Sequence, residues 1–253
     1  MAKIIAVVNQ KGGVGKTTTT VNITAALHEL GKRVLLCDFD PQANATSGMG
    51  VDKNTASPNI YDVLVSEADP VKAVVSTRYG DVLPSSKGLA GAGVELVGLQ
   101  DREHLLRKAL EKLAPKYDYI FIDCPPSLEL LTLNGLCAAD SALVPVQSEY
   151  FALEGLSDLM YTIRAVRRGL NPHLVVEGVL LTMYDSRTNL ALQVAEEVKR
   201  FFPGKVYSTV IPRNVRLSEA PSHGKPICAY DRTSRGCEAY AALADEFLKK
   251  NRK

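Results

Sequence analysis

The chain has 253 residues, 46% of them hydrophobic and 23% charged, with a formal net charge of +2; this is ordinary globular composition with apolar material for one sizeable core. No apolar run approaches the roughly 18 residues of a membrane span, and the run from Ile4 to Val8 is too short for a signal-peptide centre and leads into glycines, so a cytoplasmic protein is expected. Five cysteines form an odd count with no CxxC pair, which argues against a disulfide framework and leaves a zinc site without support.

Strand-like apolar runs alternate with helix-length amphipathic segments, the pattern of a mostly parallel sheet covered on both faces. In chain order, residues 3–9 read as a buried strand ending at glycines, and residues 17–30 as a helix closed by Gly31. Residues 33–38 are the next strand. Residues 48–98 carry several glycines and short apolar segments and resist assignment. Residues 102–114 read as a helix stopped by Pro115, residues 118–123 as a strand ending at Pro125-Pro126, and residues 142–146 as another strand. A helix over 153–168, a strand over 175–181, a helix over 190–201 and a short strand over 206–211 follow. The last helix, 237–250, sets Tyr240, Leu243, Ala244, Phe247 and Leu248 on one face. No linker or charge block divides the chain, so a single α/β domain over residues 1–253 is expected.

Between the first strand and first helix lies Lys11-Gly12-Gly13-Val14-Gly15-Lys16-Thr17. The phosphate-loop pattern G-x-x-x-x-G-K-[ST] fits at Gly15-Lys16-Thr17, but Gln10 stands where its first glycine belongs. Glycines free the backbone to aim N–H groups at phosphate oxygens, and the following helix adds its positive end. Lys16 is expected to reach the β and γ phosphates of a nucleoside triphosphate, Thr17 to ligate Mg²⁺, and Thr18 to complete the loop. Two strands end in acids: Leu35-Leu36-Cys37-Asp38-Phe39-Asp40-Pro41-Gln42 and Tyr119-Ile120-Phe121-Ile122-Asp123-Cys124-Pro125-Pro126. An apolar run ending in Asp beside a phosphate loop is the Walker B arrangement, so Asp123 is expected in the Mg²⁺ shell, through water. Asp38 and Asp40, two apart, are expected on one side of an extended segment, one orienting the attacking water and the other supporting the metal shell. Cys124 and Cys137 read as buried reduced thiols, with an intersubunit metal cluster as the alternative.

A lysine opening the loop before a double glycine resembles the deviant Walker A loop, KGGxxK[ST], of the ParA/MinD family of ATPases. The stretches 38–48, 123–127, 145–155 and 210–226 resemble its chromosome-partitioning branch, of Soj/ParA type. The resemblance implies a P-loop NTPase fold that binds ATP and Mg²⁺. It further implies that Lys11 crosses a dimer interface to the partner's phosphates, that Asp40 is the catalytic aspartate with Asp38 auxiliary, and that the adenine lies near Pro212 and Asn214. It implies an ATP-sandwich homodimer that binds double-stranded DNA without sequence preference, sits on the nucleoid, and is released when a ParB/Spo0J-like activator stimulates hydrolysis.

Charge is unevenly spread: residues 1–150 carry 14 Lys/Arg against 17 Asp/Glu, and residues 151–253 carry 16 against 11. The excess lies between Arg187 and Arg235, making Arg187, Lys199, Arg200, Arg216, Lys225, Arg232 and Arg235 candidates for phosphate contacts, Arg187 and Arg216 first by family position. No aromatics interleave them, which favours duplex backbone over stacked single strands. Residues 1–10 hold no helix-turn-helix, so autonomous operator binding is not expected. Three alternatives remain open: a MinD-type membrane-cycling division regulator, a metabolic enzyme of the same fold, and a non-catalytic scaffold. The basic tail Lys249-Lys250-Asn251-Arg252-Lys253 reads as solvated rather than membrane-bound, and intact Lys16, Asp40 and Asp123 argue against lost hydrolysis.

Overall fold

Alternation along the strands divides the molecule into layers. In β1 (Lys3–Val7), Ile4 and Ala6 pack into the core on one face, Ile5 and Val7 into the core on the other. The computed structural model describes residues 1–149 and 152–252. Within them the remaining strands are β2 (Val34–Asp38), β3 (Val75–Thr77), β4 (Gly80–Leu83), β5 (Tyr119–Asp123), β6 (Ser141–Gln147) and β7 (Val175–Thr182). They form one sheet in the order β3-β4-β2-β5-β1-β6-β7, parallel throughout except for the β3–β4 pair.

The face of Ile5 and Val7 is covered by α1 (Lys16–Glu29) with α2 (Asn44–Gly48), and by α10 (Val215–Glu219), α11 (Ile227–Tyr230) and α12 (Arg235–Lys250). The other is covered by α3 (Ile60–Val65), α4 (Pro70–Ala73), α5 (Leu89–Glu95), α6 (Leu105–Leu113), α7 (Leu130–Ala138), α8 (Ala152–Gly169) and α9 (Asn189–Phe201). α1 has no single apolar stripe because it lies between the sheet and α12, and most of its residues from Lys16 to Leu27 are buried. Burying Ile23 and Leu27 contributes about 1.5–3 kcal/mol each. α12 buries Tyr240, Leu243, Ala244 and Phe247 as its periodicity predicts; Leu248 is only partly buried. The Phe247 ring meets Tyr119 and Phe121 at 5.1 and 5.6 Å between centroids.

Two expectations need correction, and one unassigned stretch is resolved. Residues 206–211 are not a strand. Pairing with β7 is made at Lys205, Tyr207 and Ile211, but Glu246 of α12 takes the N–H groups of Ser208 and Thr209 at 2.9 and 2.8 Å and lifts them out of the ladder. The helix expected over 102–114 is broken into a 3-10 turn at Arg102–His104, α6, and a second 3-10 turn at Ala114–Lys116. Pro115 sits in that second turn's first residues, where its missing N–H costs nothing. Residues 48–98 hold α3, α4, α5 and the β3–β4 edge, and α3 opens with a capping box between Asn59 and Asp62. Tyr150 and Phe151, within the family-like stretch 145–155, and Lys253 of the tail lie outside the described residues.

Candidate active site

Three strand ends meet at one edge of the sheet. Val7 of β1 is the register partner of Asp123 in β5, and Asp123 is the partner of Asp38 in β2. The glycine loop leaves β1 at this same end, the position where open parallel sheets bind ligands.

Buried Asn9 fixes the start of the loop: its Nδ2 donates to the Pro145 carbonyl at 2.8 Å and its Oδ1 accepts from the Lys11 N–H at 3.0 Å. Gly13 and Gly15 have φ of 75° and 86°, conformations that a side chain would strain. A Cβ placed on Gly12 or Gly13 would meet nothing within 4 Å, so the loop is open to an anion. Val14 is buried, and its carbonyl accepts from Thr182 Oγ1 at 2.8 Å, tying the loop to β7. α1 then starts without a side-chain cap, leaving the N–H groups of its first turn directed at the loop. Lys16 is buried, and its Nζ donates to the Lys11 carbonyl at 2.9 Å. Burial lowers the Lys16 pKa, opposed chiefly by the charge of Asp123.

The acids differ in what holds them. Asp123 is fully buried and accepts from Thr17 Oγ1 at 2.7 Å and Thr20 Oγ1 at 3.0 Å. Asp38 is also fully buried, but both its oxygens are engaged by its own loop: Oδ2 takes Thr46 N and Oγ1 at 2.7 Å each, and Oδ1 takes Asp40 N at 3.2 Å. Burial raises the pKa of both carboxyls, and Asp38's charge raises Asp123's further against the pull of the two threonines. Asp40 is 8% exposed, with Oδ1 accepting from Gln42 N at 2.9 Å. Asp38 thus shapes the loop that presents Asp40. A hydroxyl touching a buried carboxylate beside an open phosphate loop is the hard-oxygen donor set that Mg²⁺ takes, with water and phosphate completing its shell.

Beside Gly15 and Thr18 lies a cavity of about 520 Å³, lined also by Thr182, Met183, Pro212 and Asn214. Pro212 and Asn214, expected near the base from the family resemblance, thus line a cavity next to the loop. Asn214 has only half of the capacity expected from sequence, because its Oδ1 caps α10 through Arg216 N at 2.8 Å. Thr182 and Met183 were missed by sequence reasoning. Met183 has a left-handed φ of 49°, unusual outside glycine, which no sequence signal announced. Cys124 and Cys137 are buried; Cys124 Sγ packs where a Cβ on Gly135 would come within 2.8 Å.

The basic candidates do not form one cluster. The bridge between Tyr184 and Pro212 brings the Asp185–Arg187 turn beside Arg213, a residue not among the basic candidates, and Arg216 follows at the start of α10. Arg187 pairs with Asp185 at 2.7 Å, Arg216 with Glu219 at 2.9 Å, Arg200 with Glu197 at 2.7 Å and Arg232 with Glu29 at 2.6 Å. These pairs are exposed, screened and readily exchanged. Lys199 lines a cleft with Tyr184 and Phe202, Lys225 a groove with Arg78 and His223, and Arg235 opens α12.

Residues 2–176 match the family model of an AAA domain. The chain is 60% identical over 248 residues to the sporulation initiation inhibitor protein Soj of Bacillus subtilis (strain 168), covering 97% of this chain and 98% of that protein. It is 53% identical over 254 residues to the chromosome partitioning protein ParA of Myxococcus xanthus (strain DK1622), covering 99% and 89%. Among solved structures, cobyrinic acid a,c-diamide synthase from Mycobacterium smegmatis with bound ADP and magnesium superposes with a TM-score of 0.86 at 40% identity, over 98% of this chain and 95% of that one.

Proposed function

This chain belongs to the Soj/ParA family of chromosome-partitioning ATPases, and on that premise we propose that it turns ATP binding into a grip on duplex DNA and hydrolysis into release. The observation that carries this reading is the open glycine loop with Lys16, Thr17 and Asp123 gathered at one end of the sheet.

The β and γ phosphates lie in the hollow made by the Gly12, Gly13 and Gly15 backbone and the first turn of α1. There Lys16 exchanges the Lys11 carbonyl for phosphate oxygen. Thr17 and, through water, Asp123 would hold Mg²⁺, which would neutralise phosphate charge. Asp40 orients the attacking water, and Asp38 keeps the loop of Asp40 in place through Thr46. Pro212 offers a flat face to the base, and Asn214 Nδ2 a donor to its edge. Lys11 supplies positive charge to the phosphates of a second copy, as an arginine finger does, a contribution on the order of 10³–10⁵ in rate. Turnover then depends on dimerisation.

The strip Arg187–Arg213–Arg216 supplies phosphate contacts, and two copies double them, which makes DNA affinity follow the dimer. A ParB-like activator that accelerates hydrolysis returns the protein to the monomer. The apolar face of α12 is spent in the core, so this helix has none left for a lipid surface. Sedimentation with duplex DNA in ATP, ADP and no nucleotide tests the reading. ATP-specific co-sedimentation is expected, whereas equal sedimentation in all three conditions, or none, overturns it.

A further inference from the structure

Gly155 is the fourth residue of the 18-residue helix α8, a position where alanine serves a helix better than glycine. The loop explains it. A Cβ at position 155 would stand 3.1 Å from Lys11 Cε and 3.5 Å from both Lys11 Cδ and Gln10 Nε2. Three residues on, and therefore on the same helix face, Asp158 Oδ2 accepts from Gln10 Nε2 at 3.0 Å. α8 thus presents a notch and a carboxylate to the two residues that open the loop. From the other side Asn9 Oδ1 holds the Lys11 N–H at 3.0 Å, and the Lys11 carbonyl receives Lys16 Nζ at 2.9 Å. The backbone of Lys11 is fixed by Asn9 and by Lys16 of α1, and its aliphatic chain is laid along α8.

We propose that Gly155 and Asp158 are positioning residues for Lys11: α8 seats the opening of the loop, and the missing side chain at 155 sets the direction in which the lysine leaves it. This also gives Gln10 a reason to stand where the common loop has glycine, since only a side chain reaches Asp158. The inference rests on the reading of Lys11 as a contact to a second copy's phosphates.

The test measures steady-state ATP turnover against protein concentration, ADP affinity and melting temperature in the full chain. The variants are Lys11→Ala, Gly155→Ala, Gly155→Val and Asp158→Ala. Displacing the lysine by the reach of one methyl is expected to cost about tenfold in kcat for Gly155→Ala and on the order of 10²-fold for Gly155→Val. Asp158→Ala is expected to fall in the same direction by less. ADP affinity stays within twofold of the parent because the glycine amides and Lys16 are untouched, and the Gly155→Ala melting temperature is equal or higher because alanine favours the helix. Undiminished turnover in Gly155→Ala and Gly155→Val, with Lys11→Ala inactive, overturns the seat alone. A loss accompanied by weaker ADP binding or a lower melting temperature also overturns it, since the role is then structural. Full turnover in Lys11→Ala overturns the underlying reading of the lysine and the seat with it.

Discussion

Lys16 and Asp123 share one buried pocket, and burial shifts their protonation in opposite directions, the lysine down and the carboxyl up. A folded chain that keeps a proton on Asp123 above the ordinary carboxyl value of 3.8 binds more protons than the unfolded chain. Its stability therefore falls as pH rises from that value through the raised one. Asp123→Asn removes this penalty. Without nucleotide, the variant is expected to melt about 2–4 °C above the parent at pH 8, equivalent to about 1 kcal/mol. The difference shrinks at pH 5, and Mg²⁺-dependent turnover is lost; differential scanning at the two pH values reads it. Asp40→Ala keeps the loop and both buried acids, so it is expected to bind ATP and accumulate as a dimer. Light scattering with ATP checks this, and normal hydrolysis would place water activation elsewhere. Lys16→Ala is expected to lose ATP binding or productive dimerisation, measured by equilibrium titration.

Among the elements, the connector from Lys205 to Ile211 depends on one distant side chain. Glu246 accepts from Ser208 N, Thr209 N and Thr209 Oγ1, the last at 2.8 Å. Glu246→Ala leaves the exposed Ser208 N–H to water but takes the acceptor from both half-buried Thr209 donors, and is expected to cost about 1–3 kcal/mol in urea unfolding. ATP affinity changes less, because Ile211 N–H remains tied to Leu181 and keeps Pro212 and Asn214 in place. This connector also marks where sequence reading stops. Its apolar alternation is that of a strand, and nothing within it announces a carboxylate 37 residues away. Periodicity served well where burial is two-sided: β1, β2, β5, β6 and β7 were placed within a residue or two, and the loop carried its own spacing signal. β3 and β4 were illegible because three- and four-residue strands have no period to read. The caps of Asn214 and Asp38 were hidden for another reason: both residues advertise ligand chemistry, while half or more of their hydrogen-bonding capacity serves the backbone.

For the whole molecule, DNA affinity is expected to come from numbers of phosphate contacts rather than any single one. Arg216→Glu removes a contact from each copy and frees Glu219 to repel phosphate. ATP-driven dimerisation should persist, while duplex binding at low salt weakens. The slope of log affinity against log salt should flatten by about 1.8 for a dimer that loses two contacts. Unchanged binding in a gel-shift titration would take Arg216 out of the DNA face.

The two borders of the sheet bear on how many such molecules can crowd together. On one side β3 offers only three residues of exposed rim; on the other the Lys205–Ile211 connector takes the outer N–H and C=O of Val179 and the C=O of Leu181 in β7. A short rim and a partly occupied one are poor templates for a strand from a neighbouring copy, so high local density is expected not to drift towards fibril growth. On the proposed function, self-association belongs instead to the end of the sheet that carries the glycine loop, where a bound nucleotide would decide whether it occurs.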